Sequence, residues 1–166
     1  GARFGGSLAI SVDLLAIGAA GDAMCEGTDK AIPSCASGGA VHLYRLSQGA
    51  WRHEARLQGL MTQAGDRFGA SVGLGGGSVV IGVPGADGCG RGINGDDTQT
   101  GCPEAGAVEI FRPLHGDWAQ VMRLQLPERE EREAQSAHGG FGTTMSVDGD
   151  TVVIGAPGSS TVTVFE

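Results

Sequence analysis

Residues Gly69 to Gly73 read G-A-S-V-G, which places Ser71 in a G-x-S-x-G frame. That frame makes a serine nucleophilic only where a sharp strand-to-helix turn lifts its hydroxyl. The surrounding residues instead read as a strand, with Ser7 and Thr144 at the matching places of two similar stretches. The match is therefore read as accidental and the chain as not an enzyme. His42, His53, His115 and His138 show no paired spacing, and "HEARL" stops short of the metalloprotease H-E-x-x-H.

Two long loops carry oxygen ligands. The first holds Asp22, Glu26 and Asp29; the second, "ADGCGRGINGDDTQTGCPEAG", holds Asp87, Asn94, Asp96, Asp97 and Glu104, with Arg91 among them. Carboxylate and amide oxygens suit a hard cation such as calcium, and Asn94, Asp96 and Asp97 would be its ligands. Asn-Gly-Asp-Asp is equally ordinary turn chemistry, and the spacing matches no defined calcium loop. The chain is read as holding no metal or cofactor, with calcium at this triplet as the alternative.

Each of these loops also contains two cysteines, Cys25 with Cys35 and Cys89 with Cys102. Four cysteines allow three pairings. Repetition of the pattern selects Cys25–Cys35 and Cys89–Cys102, each pinching the base of one loop. Neither spacing suits a redox or zinc C-x-x-C pair. Structural bridges imply an oxidising compartment, so the chain is expected outside the cell, on its surface or in a periplasm.

The elements that must position these residues recur along the chain. Phe4, Phe68 and Phe141 are each followed by glycine, and fourteen residues after each comes Gly18, Gly82 or Gly155. Beyond a variable loop stand "GAVHLYR" from Gly39, "GAVEIFR" from Gly106 and "TVTVFE" from Thr161; Trp51 and Trp118 follow Gly39 and Gly106 at one common spacing. "SVVIG" and "TVVIG" are β-branched runs of the kind buried on both faces. In the next strands Val41 and Leu43, Val108 and Ile110, and Val162 and Val164 share one face, while Tyr44, Phe111 and Phe165 take the other. "SVD", "GGG" and "VDGD" read as tight hairpins, with Asp148 and Asp150 as turn residues. Trp51 and Trp118 recur in step, which predicts packing and not sugar stacking.

Each unit is thus predicted to be four antiparallel strands, and the chain all-β. Spacings of 64 and 73 residues between the Phe-Gly anchors suggest β-propeller blades, over 1–66, 67–139 and a partial third at 140–166. Three units are too few to close a propeller, which takes about 4–8 blades. The chain is therefore expected to be a segment of a larger propeller, completed by further blades of the same polypeptide or of other copies, with "TVTVF" as an edge.

Composition narrows the partners. Net charge is −8, Lys30 is the only lysine, and the ten arginines are scattered. Nucleic acid, which needs clustered cations, is excluded. No apolar run is long enough to cross a membrane and none reads as a signal peptide. "EREEREAQ" reads as a solvated turn or loop.

Phe-Gly, then Gly-Ala-Pro, then Gly-Ala-Val with an aromatic resembles the FG-GAP repeat, which builds the β-propeller of integrin α subunits and of many bacterial extracellular proteins. The third copy keeps both "FG" and "GAP"; the first has "GAA" and the second "GVP". Some blades of that family hold calcium in an Asp-rich loop between strands one and two. Here those hairpins are too short to wrap a cation, so these sites are not carried over, and no R-G-D tripeptide is present.

In an up-and-down sheet the strand 2→3 and 4→1 connections share one rim. The long connections, Asp22 to Gly38, Ala86 to Ala105 and Pro127 to Gly139, all belong there, and long loops on a rigid scaffold carry function. The expected function is an interaction module that recognises protein or glycan through this rim. The alternative is a structural segment that packs only against other blades.

Overall fold

The computed structural model describes residues 1–24, 36–96, 101–127 and 139–166. Among them there are twelve strands and no α-helix; the one helical piece is a 3-10 turn at Pro157–Ser159. Strands β1 (Phe4–Ile10), β2 (Leu14–Ala19), β3 (Ala40–Ser47) and β4 (Ala50–Leu57) form the first sheet in sequence order. The second sheet runs β5 (Ser71–Gly75), β6 (Ser78–Val83), β8 (Ala107–Leu114), β9 (Asp117–Gln125) and then β7 (Gly92–Ile93). The third has β10 (Thr144–Asp148), β11 (Thr151–Ala156) and β12 (Thr161–Phe165). All neighbouring strands are antiparallel.

Two-residue turns set the register. Gln48-Gly49, Gly76-Gly77 and His115-Gly116 all have positive φ at both positions, the condition for the type I′ turn that matches strand twist. A bulge at Glu54 in β4 and another at Val121 in β9 each insert one residue opposite the neighbouring strand.

The sheets stack face to face. The first core joins Leu14, Val41 and Leu43 of the first sheet to Phe68, Val79, Ile81 and Phe111 of the second unit. The second core joins Val80, Val108 and Leu124 to Phe141, Val152 and Ile154 of the third unit. Alternation along β8 does this work: Val108 and Ile110 face the third sheet, while Phe111 faces the first. The expected face assignment holds there and on β3. The β6 run is buried on both faces, as expected. In β11 it is not, because among the described residues no sheet covers Val153.

Two features differ from the sequence reading. The second sheet has a fifth strand, because residues 92–93 of its long loop fold back onto β9. Phe68 and Phe141 do not open their own strands. Each lies in a parallel bridge to the preceding sheet, at Gly39 and Gly106 respectively. Phe68 N–H donates to the Gly38 carbonyl at 2.7 Å, and Gly69 N–H donates to the Gly82 carbonyl of its own unit at 3.0 Å. The Phe-Gly pair is therefore a clasp between consecutive sheets.

The recurrent glycines serve that clasp. A β-carbon on Gly39 would lie 2.2 Å from the Phe68 carbonyl oxygen, and one on Gly106 equally close to that of Phe141. Gly18 and Gly82, fourteen residues after Phe4 and Phe68, accept the same crowding from the next unit. The Ser7 hydroxyl donates to the Gly69 carbonyl at 2.8 Å across Gly18, and Ser71 donates to Gly142 at 2.7 Å across Gly82. Further bonds cross the first junction, from Trp118 Nε1 to Glu54 Oε1 at 2.8 Å and from Leu60 N to Gln120 Oε1 at 3.0 Å. Trp118 packs on the first core. Trp51, at the same repeat position, is half exposed because no sheet precedes its own among the described residues.

Candidate functional site

The loop rim begins with the base of the first long loop. Asp22 is buried and pairs with Arg56, Oδ2 to Nη2 at 3.2 Å, while its Oδ1 accepts Met24 N–H at 2.9 Å. Gln58 Nε2 donates to the carbonyls of Gly39 and Met24. Asp22 therefore holds the loop base. Glu26, Asp29, Cys25 and Cys35 lie outside the described residues, and so does their expected bridge.

The second loop is described up to residue 96 and again from residue 101. Cys89 and Cys102 are bonded, with Cα atoms 5.2 Å apart, as the repeat pattern predicted. Asp87 Oδ1 accepts Glu104 N–H at 2.9 Å, and Glu104 pairs with Arg67 at 3.7 Å. Asn94 Oδ1 accepts Arg123 N–H at 2.8 Å, and its own N–H donates to the Arg123 carbonyl. Asn94 thus fixes β7 to β9. Arg91 and Asp96 are exposed; Asp97 lies outside the described residues. Among the described residues no three His, Cys, Asp or Glu side chains group as metal ligands.

Beneath this loop lies a polar cluster that the sequence pattern does not reveal. Glu109 is 1% exposed and pairs with Arg123. Gly59 approaches so closely that a β-carbon there would meet Glu109 Oε2. Asp66 is buried beside it, and burial raises its carboxyl above the usual range while the Gln63 N–H opposes that shift. Alternation put Glu109 in a strand; only the stacking of sheets buried it. The cleft lined by Asp66, Asp87 and Arg123 measures about 20 Å³, room for roughly one water molecule and not for a ligand side chain.

A larger depression lies at the same end, where the first strands begin. It has a volume of about 330 Å³ and is lined by Arg3 and Arg67, which precede the Phe-Gly pairs of units one and two, with Ala20, Pro84, Ala70 and Thr143. All three units contribute to it. Of its two arginines, Arg67 pairs with Glu104 and Arg3 is exposed; a cationic group here, in a chain that is otherwise acidic, suits a carboxylate or another anion on a partner. The repeat makes this pair intelligible afterwards: both arginines stand one residue before the Phe, where the third unit has Gly140.

On the outward face of the first sheet, His42 Nδ1 and His53 Nε2 approach to 3.3 Å, with Phe4 edge-on to His42 and Tyr44 edge-on to His53. The bulge at Glu54 brings His53 opposite Tyr44. Neither histidine was singled out by spacing, because a cross-strand pair has no short sequence signature. Burial, then the His53 charge, then Arg56 lower the His42 pKa, with Asp22 opposing. A base whose folded pKa is depressed stabilises the fold above its unfolded value near 6.5, and that contribution is lost as pH falls further. Tm should therefore decline as pH falls below this value, and His42→Asn should flatten that decline. A profile equally steep in the variant would assign the loss to other groups.

Ser71 lies within β5 with its hydroxyl given to Gly142, so the strand-to-helix elbow of the G-x-S-x-G frame is absent at this position. For the loop bridge, reduction or Cys89→Ser should cost about 2 kcal/mol. Non-reducing peptide mapping should recover a Cys89–Cys102 peptide; a free thiol at either position in oxidised protein would contradict it. Among the described residues no helix is long and apolar enough to cross a membrane. No protein-family model matches the chain, and no curated protein matches it either.

Proposed function

We propose that the chain is an extracytoplasmic binding module: FG-GAP-like blades of a β-propeller that recognise protein or glycan through the rim of long loops. The observation that carries this reading is convergence at one end of the sheets. The disulfide-pinched loop, the arginine-lined depression and the strand 2→3 and 4→1 connections all lie there. The Cys89–Cys102 bridge supports an oxidising compartment. Arg3 and Arg67 would engage a carboxylate or sulfate of the partner, and the loops would frame it. Further blades, in the same polypeptide or from other copies, would complete the propeller around this end.

Binding arrays of extracellular proteins and acidic glycans, probed with the natural chain and with Arg3→Ala/Arg67→Ala, test the reading. Saturable binding that the double variant loses supports it. Absence of any saturable binding favours the alternative, a segment whose sole role is to pack against other blades.

A further inference from the structure

The bulge in β4 decides where His53 points. Leu43 lies opposite Ala55, but Tyr44 lies opposite His53 and not Glu54. Residues paired across two strands share a face of the sheet. The extra residue therefore turns His53 onto the face that carries Tyr44 and, two residues earlier, His42. Aromatic neighbours flank both rings. Phe4 lies edge-on to His42 with centroids 5.4 Å apart, and Tyr44 lies edge-on to His53 at 5.2 Å.

Two imidazole nitrogens, His42 Nδ1 and His53 Nε2, thereby stand 3.3 Å apart. That is longer than the roughly 2.7–3.2 Å of a good N–H hydrogen bond. It matches the bite of a tetrahedral metal: two nitrogens about 2.0–2.1 Å from zinc, at an angle of about 109°, lie about 3.3–3.4 Å apart. A square-planar copper ion would need roughly 2.9 Å. The charges around the pair also permit a cation. The matching positions of the second unit hold Glu109 and Gln120, and there Arg123 pairs with Glu109. In the first unit the equivalent Arg56 pairs with Asp22, which offsets its charge beside His42. Burial, then the neighbouring charges of His53 and Arg56, lower the His42 pKa, which favours the neutral ring that binds metal.

We propose that His42 and His53 chelate a zinc ion on the outward face of the first sheet. Both ligands come from adjacent strands, so the chelate is built within one unit, and it is independent of what the loop rim binds. Among the described residues no third His, Cys, Asp or Glu completes a group of three. Water would take the remaining positions of the tetrahedron, as in zinc sites that stay open to exchange.

Calorimetric titration with zinc chloride at about pH 7.5 tests it on the natural chain, His42→Gln, His53→Gln and His115→Gln, each checked for folding by circular dichroism. Zinc should bind saturably, and loss of either chelating histidine should weaken binding about tenfold or more. His115 is exposed in a hairpin turn, and His115→Gln should bind like the natural chain. At about pH 5.5 protons compete for both rings, so binding should be largely lost. Nuclear magnetic resonance of the natural chain supplies a readout that needs no variant: zinc should shift the ring signals of His42 and His53 together. Ring signals unmoved by millimolar zinc, or an affinity that neither His42→Gln nor His53→Gln changes, would overturn the proposal.

Discussion

Gly82→Ala is expected to destabilise the chain by about 3 kcal/mol or more, roughly 10 °C in Tm for a chain of this size. Its β-carbon would lie 2.1 Å from the Gly142 carbonyl oxygen and 2.2 Å from Ser71 Oγ. The serine could rotate. The carbonyl belongs to the clasp of the next sheet and cannot move without opening the junction. Gly18→Ala meets the same obstacle at the Gly69 carbonyl. Gly155 occupies the identical repeat position, yet a β-carbon there would meet only Thr144 Oγ1 within 3.8 Å, a side chain free to turn. Gly155→Ala should therefore cost less than about 1 kcal/mol and could gain from a stiffer unfolded chain. Equal losses at Gly82 and Gly155 in thermal melts would mean that the strand itself requires the glycine and that the neighbouring sheet is not the cause.

Phe68→Ala should cost about 4 kcal/mol, in the range for emptying a core aromatic site. Phe68 is fully buried, contacts Phe111 edge to face with centroids 5.9 Å apart, and belongs to the first core. Phe141→Ala should behave alike, since Phe141 is equally buried and meets Phe165 at 6.4 Å. Phe4 heads the same motif but is 54% exposed; Phe4→Ala should stay within about 1 kcal/mol. Urea denaturation of the three variants separates these cases. A large loss from Phe4→Ala in dilute monomer would show that the motif acts inside its own sheet and not as a clasp to the one before.

These contrasts mark where the sequence was informative. The alternation of Val41 and Leu43 against Tyr44, and of Val108 and Ile110 against Phe111, determined which residues face which neighbour, because successive side chains in a regular strand point to opposite faces of the sheet. Repetition of the cysteine pattern selected the Cys89–Cys102 bridge, because equivalent loops on equivalent strands bring their bases equally close. The hairpin turns were legible because positive φ restricts the residues that can occupy them.

Tertiary structure alone decided the rest. The Phe-Gly pair reads locally as the start of a strand; that Phe68 bridges to Gly39 and Phe141 to Gly106 depends on the preceding sheet, about thirty residues back along the chain. The same is true of Glu109, polar in a strand and buried only once the sheets stack, and of Asn94, whose side chain fastens β7 to β9. Identical motif positions acquire different environments, Phe4 against Phe68 and Gly155 against Gly82, because burial belongs to the pair of surfaces that meet. A sequence repeat specifies one of those surfaces at a time; whether a second surface lies against it is settled by the stacking of whole sheets.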